Sequence, residues 1–128
     1  MKYFTREELA CKHCLQEGKS IDEAYEFSEE FGHVLDRIRE ECGFPLPVSS
    51  GYRCPDHPIE RAKDKLGEHA TGFAVDIRVS HSNAFILMQV AMRHGVHRIG
   101  VNQKGDYRER FIHLGMSTQF PSPVVWSY

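Results

Sequence analysis

The stretch that decides the fold reads Gly67-Glu68-His69-Ala70-Thr71-Gly72-Phe73-Ala74-Val75-Asp76-Ile77. Its second half alternates apolar and other residues, which predicts a β-strand over residues 73–79 with the odd-numbered side chains on the buried face. Asp76 then projects from the opposite face. We expect Gly72 to let the chain turn tightly into this strand, so that His69 in the preceding loop returns towards Asp76.

The chemistry of these two side chains indicates a metal site. Histidine and aspartate are both good zinc ligands, and eight histidines in 128 residues is a high count. A third ligand has to come from a neighbouring strand, and the candidate is His113 in Phe111-Ile112-His113-Leu114. Two imidazoles and one carboxylate leave a fourth tetrahedral position for water, which is typical of catalytic zinc sites. We therefore predict that His69, Asp76 and His113 bind Zn²⁺ for a hydrolytic reaction.

Two helices are predicted ahead of this stretch. A capping-box pattern at Thr5 and Glu8 predicts a short helix at the N-terminus. Ser20 can cap a second helix, because apolar residues recur at helical spacing over residues 21–42 and Gly43 supplies a stop signal. We expect one continuous helix there.

Short strands dominate the second half of the chain. They are interrupted by one apolar helix, which Ser82 or Asn83 caps and Gly95 ends. Helices grouped early and strands grouped late predict the α+β class, with a small antiparallel sheet and flanking helices, rather than alternating βαβ units. The predicted strands cover residues 48–52, 73–79, 97–101 and 110–114.

Length and composition indicate one ordinary globular domain over residues 1–128. The chain is 41% hydrophobic and 27% charged, and it is too short for two separate cores. A formal net charge of -2 and scattered basic residues argue against nucleic acid as a partner. No apolar stretch is long enough for a membrane span, and the first residues lack the apolar core of a signal peptide. We expect a monomer made in the cytoplasm without membrane insertion.

Four sequence blocks resemble, in chain order, the signature of a known family. They are Ser50-Gly51-Tyr52-Arg53, the His69 to Asp76 segment, Arg98-Ile99-Gly100 and Phe111-Ile112-His113. Together they closely resemble the zinc D-Ala-D-Ala carboxypeptidases and L-alanyl-D-glutamate endopeptidases, which share a fold with the hedgehog signalling domain. The resemblance extends over residues 20–128, and the end of the chain is similar to the tail of short phage and prophage members.

This resemblance implies roles for individual residues and a substrate. It implies that His69, Asp76 and His113 bind zinc, and that Arg53 binds substrate and stabilises the oxyanion. A guanidinium suits that role because it stays charged and offers a planar fork of donors. The implied substrate is an amide bond next to a D-residue in a peptidoglycan stem peptide. The implied biological role is that of a phage or prophage lysis enzyme, which reaches the cell wall after release from the cell or from a virion.

Three positions depart from the family pattern without touching the metal ligands. Relatives often have an acid or a histidine three residues before the last ligand, where this chain has Arg110. Many also have an aspartate at the position of Gly115, where a carboxylate would orient a ligand from behind. A common serine is replaced by Gly67. These changes leave open a second hypothesis. In it, the protein is a weakly active or inactive zinc-containing module that binds cell-wall peptides or a phage tail partner.

Because Arg110 occupies the position of the family's usual general base, another residue has to take that role. Glu109 is our candidate, because on a regular strand it has the same parity as His113. A bulge in the preceding residues would rotate Glu109 outward and bring Asp106 in instead.

The cysteines form a further pattern. Cys11 and Cys14, and Cys54 and His57, each have the two-residue spacing of zinc half-sites. A second structural metal, buried thiols and a disulfide all remain open. A zinc-knuckle module that binds nucleic acid is disfavoured by the net negative charge and the lack of a basic patch.

Overall fold

A computed structural model describes residues 1–128, in which six α-helices surround one five-stranded sheet. None of these helices is both long enough and apolar enough to cross a membrane. Two short 3-10 helices cover Glu68–Thr71 and Tyr107–Glu109. The α-helices are α1 (Arg6–Leu9), α2 (Lys12–Gln16), α3 (Ile21–Ala24), α4 (Glu29–Cys42), α5 (Pro58–Arg61) and α6 (His81–Arg93). The strands are β1 (Val48–Ser50), β2 (Ala74–Arg78), β3 (Arg98–Asn102), β4 (Phe111–Gly115) and β5 (Val124–Ser127).

The strands lie in the order β1-β2-β4-β3-β5, and the α+β class is confirmed. The first four strands pair antiparallel, as expected. The sheet is mixed rather than purely antiparallel, because β5 adds parallel to β3 at one edge. The prolines at positions 121 and 123 hide β5 from pattern analysis, since proline is confined to edges and strand ends in sheets.

The single helix expected over residues 21–42 is wrong, because the chain forms α3 and α4 with a break between them. Ser28 caps α4 by accepting a hydrogen bond from the Phe31 N–H at 3.1 Å. The Ser28 N–H itself donates to the carbonyl of Gly72 at 2.9 Å. The break therefore docks on the turn that leads into β2. Ala24 in α3 and Phe31, Val34, Leu35 and Ile38 in α4 are buried, so the helical spacing of apolar residues continues across the break and conceals it.

One face of β2 packs in the core and the opposite face carries Asp76, as the alternation predicts. Val75 and Ile77 are fully buried in the main hydrophobic cluster, whereas Asp76 projects from the other face. Helices α4 and α6 cover the apolar face; α6 starts at His81, ahead of both predicted caps. The largest fully buried side chains in this cluster are Phe31, Leu9, Leu35, Ile38, Ile77, Leu87, Ile99, Ile112 and Leu114.

We predict that Gly72→Ala destabilises the protein more than Gly105→Ala. Both glycines have left-handed backbones, with φ of +78° and +77°, which cost alanine about 1 to 2 kcal/mol. A Cβ at Gly72 would also overlap the carbonyl oxygen of Glu26, whereas nothing lies within 4 Å of one at Gly105. Urea unfolding of the two variants measures the difference. Equal losses of unfolding free energy would mean that the close approach at Gly72 carries no cost.

Candidate metal centre

The three predicted ligands meet at one point beside the sheet. His69 lies in the 3-10 helix before β2, Asp76 in the middle of β2, and His113 directly opposite Asp76 on β4. The Nε2 atom of His69 is 3.2 Å from Asp76 Oδ1. The Nδ1 atom of His113 is 3.0 Å from the same oxygen. The loop histidine therefore does return to the strand aspartate.

The donor set and its spacing fit a tetrahedral zinc ion. Bonds of about 2.0 to 2.1 Å at such an ion put neighbouring ligand atoms about 3.3 Å apart. The two nitrogen-to-oxygen distances of 3.2 and 3.0 Å are close to this separation. The three residues are buried, with exposed fractions of 5%, 7% and 4% for His69, Asp76 and His113. They could hold a metal ion with little movement.

Hydrogen bonds on the outer side of each imidazole fix which nitrogen faces the centre. His69 Nδ1 is 2.8 Å from the carbonyl oxygen of Gly51, which can only accept. His113 Nε2 is likewise 2.8 Å from a carboxylate oxygen of Glu68. Each of these outer nitrogens therefore donates outward, so that in the neutral ring the opposite nitrogen carries the lone pair that binds a cation at the centre.

Glu68 is a functional residue that the sequence analysis missed. Its carboxylate is nearly fully buried, lies 3.0 Å from Arg98 Nε, and accepts a hydrogen bond from the Ser117 N–H at 3.1 Å. Burial opposes ionisation, but the hydrogen bonds, led by that from His113, hold the pKa of Glu68 below its usual value. Glu68 is next to His69 in the sequence, yet its side chain contacts His113 on β4. No local sequence pattern indicates this contact.

Gly115 leaves the space that this carboxylate fills. Gly115 lies two residues after His113 on β4, so both positions face the same side of the sheet. A Cβ built at Gly115 would overlap the carboxylate of Glu68. Glu68 thus places a carboxylate in the space that a side chain at position 115 would otherwise occupy.

The Asp76 carboxylate is held in its ionised form. Burial by itself would raise the pKa of Asp76, but hydrogen bonds with His113 and His69 lower it strongly. Burial lowers the pKa of His113, but hydrogen bonds with Asp76 and Glu68 raise it overall. These contacts favour a second proton on His113, which a metal ion has to displace because it binds the neutral imidazole.

Arg53 lies next to the centre in a fixed orientation. Its Nε atom donates to Ser50 Oγ at 3.0 Å, and Nη1 donates to Glu60 Oε2 at 3.4 Å. Its Nη2 atom lies 3.7 Å from Asp76 Oδ2. Glu60, which the sequence analysis also missed, is only 1% exposed and accepts the Gly67 N–H at 2.7 Å. One buried carboxylate therefore holds both Arg53 and the start of the His69 segment.

Glu109 does not lie on a strand, so the parity argument for it is wrong. It ends the 3-10 helix Tyr107–Glu109, is exposed, and lines a cavity of about 730 Å³ together with Arg53 and Asp76. Asp106 lines the same cavity but is paired with Arg108 at 2.7 Å. This 3-10 turn forms because the Asp106 side chain accepts the N–H of Arg108.

A second cavity, of about 380 Å³, contains all three predicted ligands together with Arg53 and Arg98. It shares Arg53, Asp76 and Phe111 with the larger cavity, so the two cavities adjoin at these residues and together make up the cleft. Strand β5 supplies part of its wall, because the Trp126 ring lies 5.1 Å from the His113 ring. The charged residues that line the cleft are the cations Arg53, Lys63, Arg78, Arg98 and Lys104 and the carboxylates Glu68, Asp76, Asp106 and Glu109.

We predict that Glu68→Ala weakens zinc binding by about 10- to 100-fold, the usual effect of removing a group that orients a ligand. Gly115→Asp in the Glu68→Ala background should recover much of the loss, because it returns a carboxylate to the same space. Competition against a chromogenic chelator measures both affinities.

Gly115→Asp alone is the matched control. With Glu68 still present, the two carboxylates would overlap, so this variant should bind zinc more weakly than the parent. If the double variant binds zinc no better than Glu68→Ala, the carboxylate of Glu68 does not act by orienting His113.

Comparison with protein families agrees with this geometry. The family described as Peptidase M15 matches residues 2–115, a range that includes His69, Asp76 and His113. No curated protein matches the chain. Peptidases of this family depend on zinc, and the buried His-Asp-His group could bind that ion. The chain therefore belongs to the peptidase M15 family of zinc metallopeptidases.

Proposed function

We propose that this protein hydrolyses an amide bond next to a D-amino acid in peptidoglycan stem peptides. The observation that carries the proposal is the convergence of two imidazole nitrogens and one carboxylate oxygen within a cleft that Arg53 also lines. The M15 family acts on peptidoglycan peptides, which supports this substrate class. The similarity of the chain's end to short phage and prophage members supports a role in cell-wall lysis.

The predicted roles divide between ligands and their supports. His69, Asp76 and His113 would hold the zinc ion, with the outer hydrogen bonds to Gly51 and Glu68 keeping both rings in place. Zinc supplies a Lewis acid at such a site and lowers the pKa of water towards about 7. The chain's own contribution is a buried set of ligands, fixed by hydrogen bonds, beside a cleft.

Arg53 is the proposed group for the developing negative charge. Its guanidinium is held by Ser50 and Glu60, so little reorganisation is needed when substrate enters. The Nη2 atom, close to Asp76 Oδ2, stands at the edge of the centre where a scissile carbonyl would approach. A planar fork of donors can contact that carbonyl oxygen or a substrate carboxylate.

Two cations of the cleft also favour an acidic peptide. Arg78 and Lys104 line the larger cavity and form no ion pair. The other cations, Arg53, Lys63 and Arg98, are paired with Glu60 or Glu68. Stem peptides carry free carboxylates, and opposite charge in a cleft raises the local concentration of substrate. The protein as a whole has a net charge of -2, so the attraction is local to the cleft.

Glu109 remains the proposed general base, now on different grounds. Its support is its place on the wall of the cavity that also contains Arg53 and Asp76. Asp106 is disfavoured because its carboxylate is engaged by Arg108. Arg110, at the position of the family's usual acid, donates to the carbonyl of Gly105 and offers no base.

A second candidate function is binding of wall peptides or of a phage tail partner without efficient catalysis. The observation that favours it is the exposure of Glu109, which makes no hydrogen bond to any of the predicted ligands. Such a module would keep the zinc ion and the cleft but turn over slowly.

We predict that the zinc-loaded protein releases stem-peptide fragments from purified peptidoglycan, and that His113→Ala releases none because it loses the metal. Mass spectrometry of the fragments identifies the bond. His33→Ala, which removes an exposed histidine on α4, is the control and should behave like the parent. Peptide binding by a zinc-containing parent that releases no fragment would instead support the binding module.

We predict that Glu109→Gln abolishes hydrolysis whereas Asp106→Asn does not, with zinc content unchanged in both. A base must lie within about 2.6 to 3.2 Å of the proton that it takes, directly or through one water. Fragment release is the measurement, and zinc content is the check. Near-parental turnover by Glu109→Gln would assign the base to another group.

A further inference from the structure

Three cysteine side chains meet between the N-terminal helices and the loop that carries Arg53. The sulfur atoms of Cys11, Cys14 and Cys54 all lie within 4.8 Å of one another. Their residues are 0%, 2% and 8% exposed, and none is in a disulfide. The fourth cysteine, Cys42, lies elsewhere and is half-buried. The protein therefore contains a compact group of three thiols with no part in the His-Asp-His centre.

Local backbone structure brings these sulfurs together. Cys11 precedes α2 and Cys14 lies in its first turn, so their three-residue separation puts both side chains on one side of the turn. The Cys54 N–H donates to the sulfur of Cys11 at 3.3 Å. A backbone donor aimed at sulfur favours the thiolate, which is the form that binds metals.

We propose that Cys11, Cys14 and Cys54 bind a second metal ion, a soft divalent cation such as Zn²⁺, as a structural site. Zinc–sulfur bonds of about 2.3 Å at a tetrahedral ion put the sulfurs about 3.8 Å apart, within the observed limit. A disulfide would use two of the three sulfurs and leave the third buried and unpaired. A metal ion uses all three.

The fourth coordination position has candidates close by in the chain. His13 lies between the two N-terminal cysteines, and His57 follows Cys54 by three residues. The two rings contact each other, with centroids 5.9 Å apart. Either imidazole or a water completes the usual four ligands of zinc.

This second ion would stabilise the loop on which the hydrolytic centre depends. The loop is already joined to the N-terminal segment by the hydrogen bond from the Tyr52 N–H to the Leu9 carbonyl, at 2.8 Å. The same loop carries Arg53 and the Gly51 carbonyl that orients His69. An ion that joins Cys11 and Cys14 to Cys54 would fix both groups.

The test is the metal content of the full chain, purified under reducing conditions, loaded with zinc and freed of excess metal. Elemental analysis should find two zinc ions per chain in the parent and in Cys42→Ser. It should find one in His113→Ala and one in Cys14→Ser. Cobalt loading of His113→Ala should give thiolate-to-cobalt charge-transfer absorption, and His113→Ala with Cys14→Ser should lose it.

Counting the reactive thiols of the parent tests the proposal without depending on the folding of any variant. With a thiol-specific chromogenic reagent, the zinc-loaded native parent should show only Cys42 reacting quickly, and a chelator should release the other three thiols. One zinc ion per parent chain and none in His113→Ala, with four reduced thiols in both, would overturn the proposal. A mass lower by two hydrogens, from a disulfide among these cysteines, would overturn it as well.

Discussion

The pairing of Asp76 with His113 across β2 and β4 is the constraint on which the rest of the site depends. The two residues are direct partners in the antiparallel ladder, so the hydrogen bonds of the sheet set their separation. A slip of one residue would turn one side chain to the apolar face and separate the ligands. The buried row of β2, with Val75 and Ile77 in the core, prevents that slip. The hydrophobic core thereby fixes the geometry of a polar site on the opposite face.

Around this pair the protein buries three carboxylates, and each has cationic or imidazole partners. Asp76 faces two imidazoles, Glu68 faces His113 and Arg98, and Glu60 faces Arg53. An unpaired buried charge costs several kcal/mol, and even a paired one rarely stabilises more than apolar packing would. Such a concentration of buried charge contributes little to folding. Its value lies in holding Arg53 and the imidazoles in fixed orientations.

Much of this arrangement could be predicted from local sequence patterns. The features that could not be predicted in this way have a physical reason. The alternation in β2 and the family blocks predicted the three ligands that the structure brings together. The break between α3 and α4 was hidden because its cause, the contact of Ser28 with Gly72, is distant in sequence. Glu109 was misplaced because a side-chain cap on the 3-10 turn interrupts the strand pattern. The roles of Glu68 and Glu60 likewise depend on long-range contacts that no local spacing encodes.

The exchange between Glu68 and Gly115 also bears on how active sites are identified from aligned sequences. The carboxylate behind His113 comes from Glu68, which lies 45 residues away in sequence, whereas position 115 holds glycine. A sequence pattern that expects an acid at position 115 would therefore suggest a degenerate enzyme. The same chemical group can be supplied by a different residue when a glycine leaves space for the side chain. Functional groups should therefore be compared by their position around the ligand rather than by their position in an alignment. This comparison distinguishes a protein that has lost a group from one that supplies the group from another residue.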